Sequence, residues 1–422
     1  MTRILVPEMF GVMAVANILI MGLQLCSYFG VQHNIIQSHR GDDPLFLNTA
    51  WTFQILRGAV IFLLAICLAA GLALANSFGL VGISSAYHAP ALPSVLAALS
   101  FTALISGFES TNLASAHRVM RLGRITILDL GSQVAGLIVM ITWALIDKSI
   151  WALVAGTILS SCVRTLLSHW YIEGQTNRLM WDRAIFLELF AFGKWILFTT
   201  ILGYFVGSGD RLVLAGLVKA DVLGVYSIAL FMTSALQEVL SKLATNAALP
   251  ALSKVVRERR EDLSAVYYKI RFPIDLAILF ICGFLFYAGH LITDVLYDNR
   301  YATAGHMLEI LAISLFGVRY VLSENVFIAL GKPRLLIPAQ IFQLLITFSV
   351  ITPAYYAYGL DGAIWVIALT PLLALPVRVY FMAKYGFLDF KRELYVMPAL
   401  PAGLVVGALV NMLAHHYFPH HL

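Results

Sequence analysis

Basic residues stand inside long apolar stretches of this 422-residue chain, where a charge is expensive. Placing a charge at the depth of a bilayer costs about 2.5 kcal/mol or more, so each such residue needs a structural or functional reason. Arginine suits an anionic ligand, because its planar fork binds phosphate oxygens in pairs and does not lose its proton. The candidate cationic binding residues are Arg57, Arg319, Arg164, Arg378 and Lys242.

Acidic and amide side chains in the same stretches could pair with these cations or line a polar cavity. The candidates are Gln54, Glu109, Asn112, Gln237, Glu324, Asn325 and Gln340. An alternative is that each cation reaches the membrane surface or pairs with an acid to fix helix packing. The depth of Arg57 and Arg319 favours binding, whereas Arg164 and Arg378 lie near segment ends, which favours packing. Lys242 is open, and Glu324 is expected to be an arginine partner.

The composition indicates whether water or lipid surrounds these stretches. Hydrophobic residues make up 60% of the chain and charged residues 12%, and the mean hydropathy is +0.85. A soluble domain has about 25% charged residues and must cover its surface with polar groups. A bilayer removes that requirement, and each crossing takes about 20 apolar residues. We therefore predict an all-α, polytopic membrane protein of about 12 transmembrane helices.

Apolar segments, lettered A to L, carry this prediction: 9–29, 46–74, 92–114, 126–146, 150–171, 185–207, 222–248, 272–292, 305–330, 335–356, 362–383 and 395–417. Lys and Arg are concentrated in the loops after A, C, E, G, I and K, above all in 254–269. These loops are predicted to be cytoplasmic, because cytoplasmic loops are enriched in Lys and Arg. The loop 254–269 is then expected to contact anionic lipid of the inner leaflet.

The segments also indicate an internal duplication. Ile150-Trp151 and Val163-Arg164 recur 214 residues later as Ile364-Trp365 and Val377-Arg378, and further matches occur at offsets of 213 and 208. Segments A to E then pair with G to K in the same orientation, which is the parallel-repeat arrangement of some transporters.

The duplication predicts three domains: an N-terminal bundle at 1–183 (A to E), a second bundle at 184–392 (F to K), and an extra C-terminal helix at 393–422. Segment F has no partner. Its counterpart would precede Met1, so we expect the chain to lack one N-terminal helix.

No enzyme is expected from the motifs. We find no phosphate-binding Gly-rich loop followed by Lys and Ser/Thr, and no nucleophile with a base at suitable spacing. We expect neither a cofactor nor a metal site, and the terminal histidines at 415, 416, 420 and 421 are not expected to form one.

Three stretches resemble a known family. Residues 3–11 (RILVPEMFG) are similar to the segment between the first two helices of polysaccharide flippases. Residues 210–229, which include Asp210-Arg211-Leu212, resemble the start of the second half of those proteins, and residues 50–58 resemble their third helix. The chain is identified as a member of the polysaccharide transporter branch of the multidrug/oligosaccharidyl-lipid/polysaccharide exporter superfamily. That branch includes O-antigen and exopolysaccharide repeat-unit flippases.

The resemblance implies a flippase that moves a polyprenyl-pyrophosphate-linked oligosaccharide across the bacterial cytoplasmic (inner) membrane by alternating access. It would serve lipopolysaccharide or exopolysaccharide biosynthesis, and the cations would line a central cavity and neutralise the pyrophosphate. The expected partners are the lipid-linked oligosaccharide, anionic inner-leaflet lipid, a polysaccharide polymerase and chain-length proteins, but no nucleic acid.

Two alternatives stay open. One is a cation-coupled drug or metabolite exporter of the same superfamily, for which buried acids rather than cations are favoured. The other is a non-transporting scaffold of a polysaccharide assembly complex, which the absence of a first helix would favour.

Overall fold

The computed structural model describes residues 2–38 and 40–417, and the regular elements in this part of the chain are helices. Contacts divide the chain into two compact units, Met1–Leu223 and Gly224–Leu422. Many large apolar side chains on the long helices are exposed, among them Leu63, Ile138 and Leu345. In an all-helical protein that satisfies its own backbone hydrogen bonds, such faces suit contact with lipid.

The first unit contains eight helices within the described residues: α1 Pro7–Cys26, α2 Val31–Gln37, α3 Pro44–Ser77, α4 Leu92–Gly107, α5 Asn112–Arg118, α6 Leu122–Ile146, α7 Trp151–Trp170 and α8 Arg183–Leu217. The first turns of α1, α3 and α4 each contain a proline, which lacks the N–H that a first turn leaves unpaired. Asp43 and Asp182 cap α3 and α8 by accepting hydrogen bonds from backbone N–H groups.

Predicted segment C is not one straight helix. The axes of α4 and α5 differ by 62° across a break of four residues, 108–111. Such a break requires partners for the unpaired backbone groups. The Phe108 carbonyl accepts from Trp51 and contacts His169, and the Ser110 N–H donates to the Ser168 hydroxyl. Side chains from α3 and α7 therefore hold the break.

Helices α3 and α4 approach closely at two glycines. A Cβ atom on Gly58 would lie 2.7 Å from the Ala103 carbonyl oxygen and 3.1 Å from the Cα atom of Gly107. Only a residue without a side chain permits this approach. The polar residues of α3 that precede Gly58 are thereby placed against the C-terminal end of α4.

The second unit contains most of α9 Ala220–Glu258, followed by α10 Leu263–Leu296, α11 Ala302–Ala312, α12 Val321–Ala329, α13 Ile337–Leu373, α14 Leu375–Lys384, α15 Phe390–Tyr395 and α16 Ala399–Tyr417. A 3₁₀ segment, Ile313–Tyr320, joins α11 to α12. Predicted segment I is therefore interrupted, as segment C is. The 3₁₀ segment contains the positions that an offset of 208 residues assigns to the break between α4 and α5.

Helix α13 contains most of predicted segment J and the first part of segment K, which continues into α14. Gly359 separates them with φ 70° and ψ −157°, a conformation in which a side chain is strained. Ten stretches of the described residues are long and apolar enough to cross a membrane, or eleven if the bent pair α4–α5 is one crossing. One of the ten, Pro333–Lys384, has 52 residues. If the bent pair counts as one crossing and this long stretch is divided at Gly359, the number of crossings becomes twelve, which is the number predicted.

The predicted domain limits at 183/184 and 392/393 stay a prediction. Helix α8, which they assign to the second bundle, packs against α1, α2 and α3 of the first unit. Of the terminal histidines, His420 and His421 lie outside the described residues.

Candidate functional site

A cavity of about 160 Å³ in the first unit brings together three of the predicted residues, Gln54, Arg57 and Glu109. Gln54 and Arg57 are three residues apart on α3 and therefore share a helix face. We call this cavity the Arg57 pocket; its remaining wall residues are Tyr28, Val31, Gln32, Gly58, Ile61, Ala103, Ser106 and Gly107.

Arg57 forms no ion pair with any residue that the structure describes. Its guanidinium lies over the ring of Tyr28, 5.4 Å from the ring centroid. A cation above an aromatic face is stabilised by about 0.5–2 kcal/mol, which is less than a paired carboxylate provides in a buried site. The Tyr28 hydroxyl, 3.0 Å from Nδ1 of His33, can donate or accept a hydrogen bond. The pocket can therefore accept an anion.

Gln54 closes the end of α4. Its side-chain amide lies 3.1 Å from the carbonyl of Ser106 and 3.2 Å from that of Glu109, to both of which it donates. The last carbonyls of a helix lack partners within the helix, and Gln54 supplies one. This residue was predicted to line a polar cavity, and it both lines the Arg57 pocket and shapes it.

Glu109 stands at the break between α4 and α5 and is paired with Arg164 of α7, Oε1 to Nη1 2.9 Å. Arg164 also donates through Nε to Asp129 of α6 at 3.0 Å. One guanidinium thus joins three helices. Since two acids already neutralise Arg164, this contact supports the packing explanation for it.

The second unit buries two arginines together with two acids. Arg319, in the 3₁₀ segment, has no exposed surface and contacts Asp275 at 3.0 Å and Glu393 at 3.3 Å. Arg271 is equally buried and shares the same two acids, with its Nε 2.9 Å from Asp275 and its Nη2 3.1 Å from Glu393. Tyr268 donates to Glu393 at 2.9 Å. In this conformation Arg319 has no surface for a ligand, so substrate binding by it stays a prediction that requires the network to open.

Arg378 of α14 is paired with Glu324 of α12 at 2.9 Å, so Glu324 has the arginine partner that was expected. Arg378 and Arg164 are related by the internal repeat. Each pairs with a glutamate of the interrupted helix in its own unit, Glu324 or Glu109. The two units therefore share a packing device as well as a helix order.

The remaining predicted residues are not among those that line the Arg57 pocket. Exposed Lys242 is paired with Glu238 one helical turn earlier at 2.6 Å. Asn112 donates to the carbonyl of Gln175, and Gln237 donates to Ser314 at 2.9 Å. Asn325 is buried and Gln340 is half-buried.

A family model described as "Polysaccharide biosynthesis protein" matches residues 1–305. The chain belongs to this family. The lipopolysaccharide biosynthesis protein WzxC of Escherichia coli K12 is 24% identical over 296 residues, which is 66% of this chain and 56% of WzxC. The match thus spans just over half the length of that relative.

Two solved structures share the fold of this polysaccharide biosynthesis protein. An inward-facing multidrug resistance MATE family transporter of the MOP superfamily has a TM-score of 0.62 at 16% identity, covering 93% of this chain and 91% of its own. The lipid II flippase MurJ, in an inward closed conformation, has a TM-score of 0.67 at 13% identity, covering 95% and 85%.

These findings confirm the predicted family and the all-helical, multi-pass membrane fold. The protein belongs to a polysaccharide biosynthesis family, and it has the fold of the MATE transporter and of MurJ.

The sequence analysis missed several residues of the Arg57 pocket and of the ion-pair networks around Arg164 and Arg319. Tyr28, Asp129, Arg271 and Glu393 were not among the predicted site residues, although each contacts one that was or completes its ion-pair network. Arg271 and Asp275 are four residues apart on α10, which is a recognisable signal for a helical ion pair. Glu393 carries no such signal, because it meets its partners only through the tertiary fold.

Proposed function

We propose that this protein translocates a polyprenyl-pyrophosphate-linked oligosaccharide across the bacterial cytoplasmic membrane, for the synthesis of a surface polysaccharide. The observation that carries the proposal is the Arg57 pocket, where a guanidinium without an ion-pair partner among the described residues faces polar neighbours. Membership of a polysaccharide biosynthesis family supports the same substrate class, as do the similarities to a lipopolysaccharide biosynthesis protein, WzxC, and to a lipid II flippase, MurJ.

The pocket suits the charged part of such a substrate. Arg57 can bind two phosphate oxygens through its planar fork, while Gln32, Ser106 and the Tyr28 hydroxyl can form hydrogen bonds to sugar or phosphate. Its volume of about 160 Å³ is below the roughly 300 Å³ at which small-molecule pockets begin. We infer that it holds the headgroup next to the lipid, and that a whole oligosaccharide requires the alternating-access movement of the bundles.

We assign a packing role to the other four candidate cations, because each is already paired with an acid: Arg319, Arg164, Arg378 and Lys242. Substrate contact by any of them stays a prediction.

The proposed membrane includes an anionic inner leaflet, and a cavity of about 330 Å³ in the second unit supports contact with it. Lys269, Lys391 and Arg392 surround this cavity together with the rings of Phe272 and Tyr395. Clustered basic residues near a membrane surface attract anionic headgroups at about 1 kcal/mol each. Lys269 ends the basic segment 254–269 for which this contact was predicted. The segment was expected to be a loop, but residues 254–258 belong to α9 and residues 263–269 to α10.

The test is flipping of a fluorescent undecaprenyl-pyrophosphate-linked oligosaccharide by the purified protein in proteoliposomes. We expect flipping by the parent, loss with Arg57→Ala, and partial activity with Arg57→Lys, which keeps the charge but not the fork. Lys242→Ala is the matched control, since it removes an exposed, already paired cation.

Flipping by Arg57→Ala at the parental rate would remove the pocket from the proposal. A folded parent that moves no lipid-linked oligosaccharide would instead favour the exporter or scaffold alternatives.

A further inference from the structure

We propose that His290, His306 and Glu309 form a binding site for a divalent transition-metal ion such as Zn²⁺. Their nearest ligand atoms all lie within 4.8 Å of one another. His290 lies near the C-terminal end of α10, while His306 and Glu309 lie three residues apart on α11. That spacing puts the two α11 side chains on one helix face, toward His290. The inference is independent of the proposed translocation.

Two glycines fix the distance between these helices. A Cβ atom on Gly289 would lie 2.6 Å from the Cγ atom of Glu309. A Cβ atom on Gly305 would lie 2.6 Å from the Cα atom of His290 and 2.8 Å from its Nδ1 atom. The backbones of α10 and α11 can therefore approach closely on both sides of the cluster. This packing holds the three donors together without any contact between distant parts of the chain.

The donors are already oriented toward one another. The Nε2 atom of His290 is 3.9 Å from Glu309 Oε2, while the backbone N–H of His290 donates to Glu309 Oε1 at 3.2 Å. The rings of His290 and His306 are stacked, with centroids 6.3 Å apart. A fourth ligand, a carboxylate oxygen, is near, because Asp361 Oδ2 lies 3.4 Å from His306 Nε2. Asp361 comes from α13, directly after its break at Gly359.

Two imidazoles with carboxylates are a ligand set of zinc sites, and imidazole disfavours Mg²⁺ and Ca²⁺. Bonds of about 2.1 Å to a tetrahedral ion require ligand atoms about 3.4 Å apart, so the cluster must contract slightly to close. The His290 and His306 side chains are 47% and 48% exposed, which leaves them free to rotate and open to an ion from solution.

The predicted topology places the loop before α11 and the break of α13 on the outer side of the membrane, where such an ion would arrive. Bound there, it would join α10 and α11, and also α13 when Asp361 takes part. A crosslink between helices stabilises the folded state by mass action, because the unfolded chain does not present the site.

The experiment is Zn²⁺ titration of the full-length protein, purified without a histidine tag and with the histidines at 415, 416, 420 and 421 replaced by Ala. Calorimetry gives the stoichiometry and Kd, and thermal unfolding gives the stabilisation. We expect one ion per chain and a rise in melting temperature. His306→Ala and Glu309→Gln should each weaken binding more than about 10-fold.

His33→Ala is the matched control, since it removes an exposed histidine of the first unit. It should bind Zn²⁺ as the parent does. Unchanged binding in both cluster variants, or no saturable binding by the parent, would overturn the proposal. If Glu309→Gln does not fold, His306→Gln replaces an exposed side chain and decides the same question.

Discussion

Arg57 in the first unit and Arg319 in the second both lie inside predicted membrane segments, yet their surroundings differ. Arg57 lines a cavity beside the ring of Tyr28 and forms no ion pair within the part of the chain that the structure describes. Arg319 has no exposed surface and shares Asp275 and Glu393 with Arg271. A buried charge that is paired on all sides fixes structure, whereas a charge without an acid partner can bind an anion.

The repeat sharpens this contrast. Both units interrupt the equivalent membrane helix, and both hold it with an arginine–glutamate pair, Arg164–Glu109 or Arg378–Glu324. The packing device is therefore common to the units. The Arg57 pocket and the buried Arg271–Arg319 network are the features by which they differ.

The largest expected effect comes from Glu393→Ala. This change leaves Arg271 and Arg319 buried with one acid between them, and breaking a buried pair costs about 3–5 kcal/mol. We expect a large fall in melting temperature or loss of folded protein, measured by thermal unfolding of the purified protein.

The control is Glu173→Ala, which breaks exposed pairs with Arg121 and Arg124. Exposed pairs contribute less than about 1 kcal/mol, so this variant should melt near the parent. Equal melting temperatures for the two variants would contradict the buried network.

Replacing the two deep arginines separates function from stability. Arg57→Ala should reduce affinity for the lipid-linked substrate about 10- to 100-fold, the value of one charged hydrogen-bond pair, with little change in melting temperature. Arg319→Ala should lower the melting temperature first, because it leaves a buried acid short of a partner.

The two readouts are the melting temperature and substrate binding in detergent, measured on the same samples. If Arg57→Ala melted far below the parent while Arg319→Ala did not, the roles assigned to the units would be reversed.

The repeat-related pairs should respond unequally. Glu324→Gln leaves Arg378, whose side chain is 15% exposed, without its acid, at a cost of about 1–3 kcal/mol. Glu109→Gln leaves Arg164 with Asp129 still 3.0 Å away, so its cost should be lower. Thermal unfolding of both variants, and of Arg164→Met and Arg378→Met, measures the difference. A larger loss for Glu109→Gln would show that Asp129 does not compensate.

The smallest expected effect is at the start of α3. The hydrogen bond from Arg40, followed by that from the Leu45 N–H, lowers the pKa of Asp43. Because the folded-state pKa lies below the unfolded value of about 3.9, the contribution to stability is present above that pH. It is lost as the pH falls through the folded value.

Asp43→Asn keeps the cap and removes the charge. Its melting temperature should lie slightly below that of the parent at neutral pH and converge with it in acid, once Asp43 is protonated in the folded protein. A constant difference across this range would mean that the carboxylate charge is not responsible.

The amino-acid sequence alone determined that the chain lies in a membrane and that its fold is all-helical. Some twelve apolar stretches of about 20 residues or more predict membrane helices, because that length suits a helix and a helix satisfies its own backbone within lipid. The resemblances at 3–11, 50–58 and 210–229 led to the family that the comparison confirms. Gln54, Arg57 and Glu109 could be predicted as cavity residues because polar side chains in an apolar helix are rare enough to stand out.

Only the tertiary structure decided which of those charges remain available to a ligand. Partners such as Glu393 for Arg319, or Asp129 for Arg164, are separated from them by 35 to 74 residues and leave no periodic signal. Ion pairing depends on atoms 3 Å apart, and that proximity arises from how helices cross. The same is true of His290, His306 and Glu309, which the sequence analysis did not group. Hydropathy depends on residue type and is therefore read from the chain, whereas pairing depends on geometry and is not.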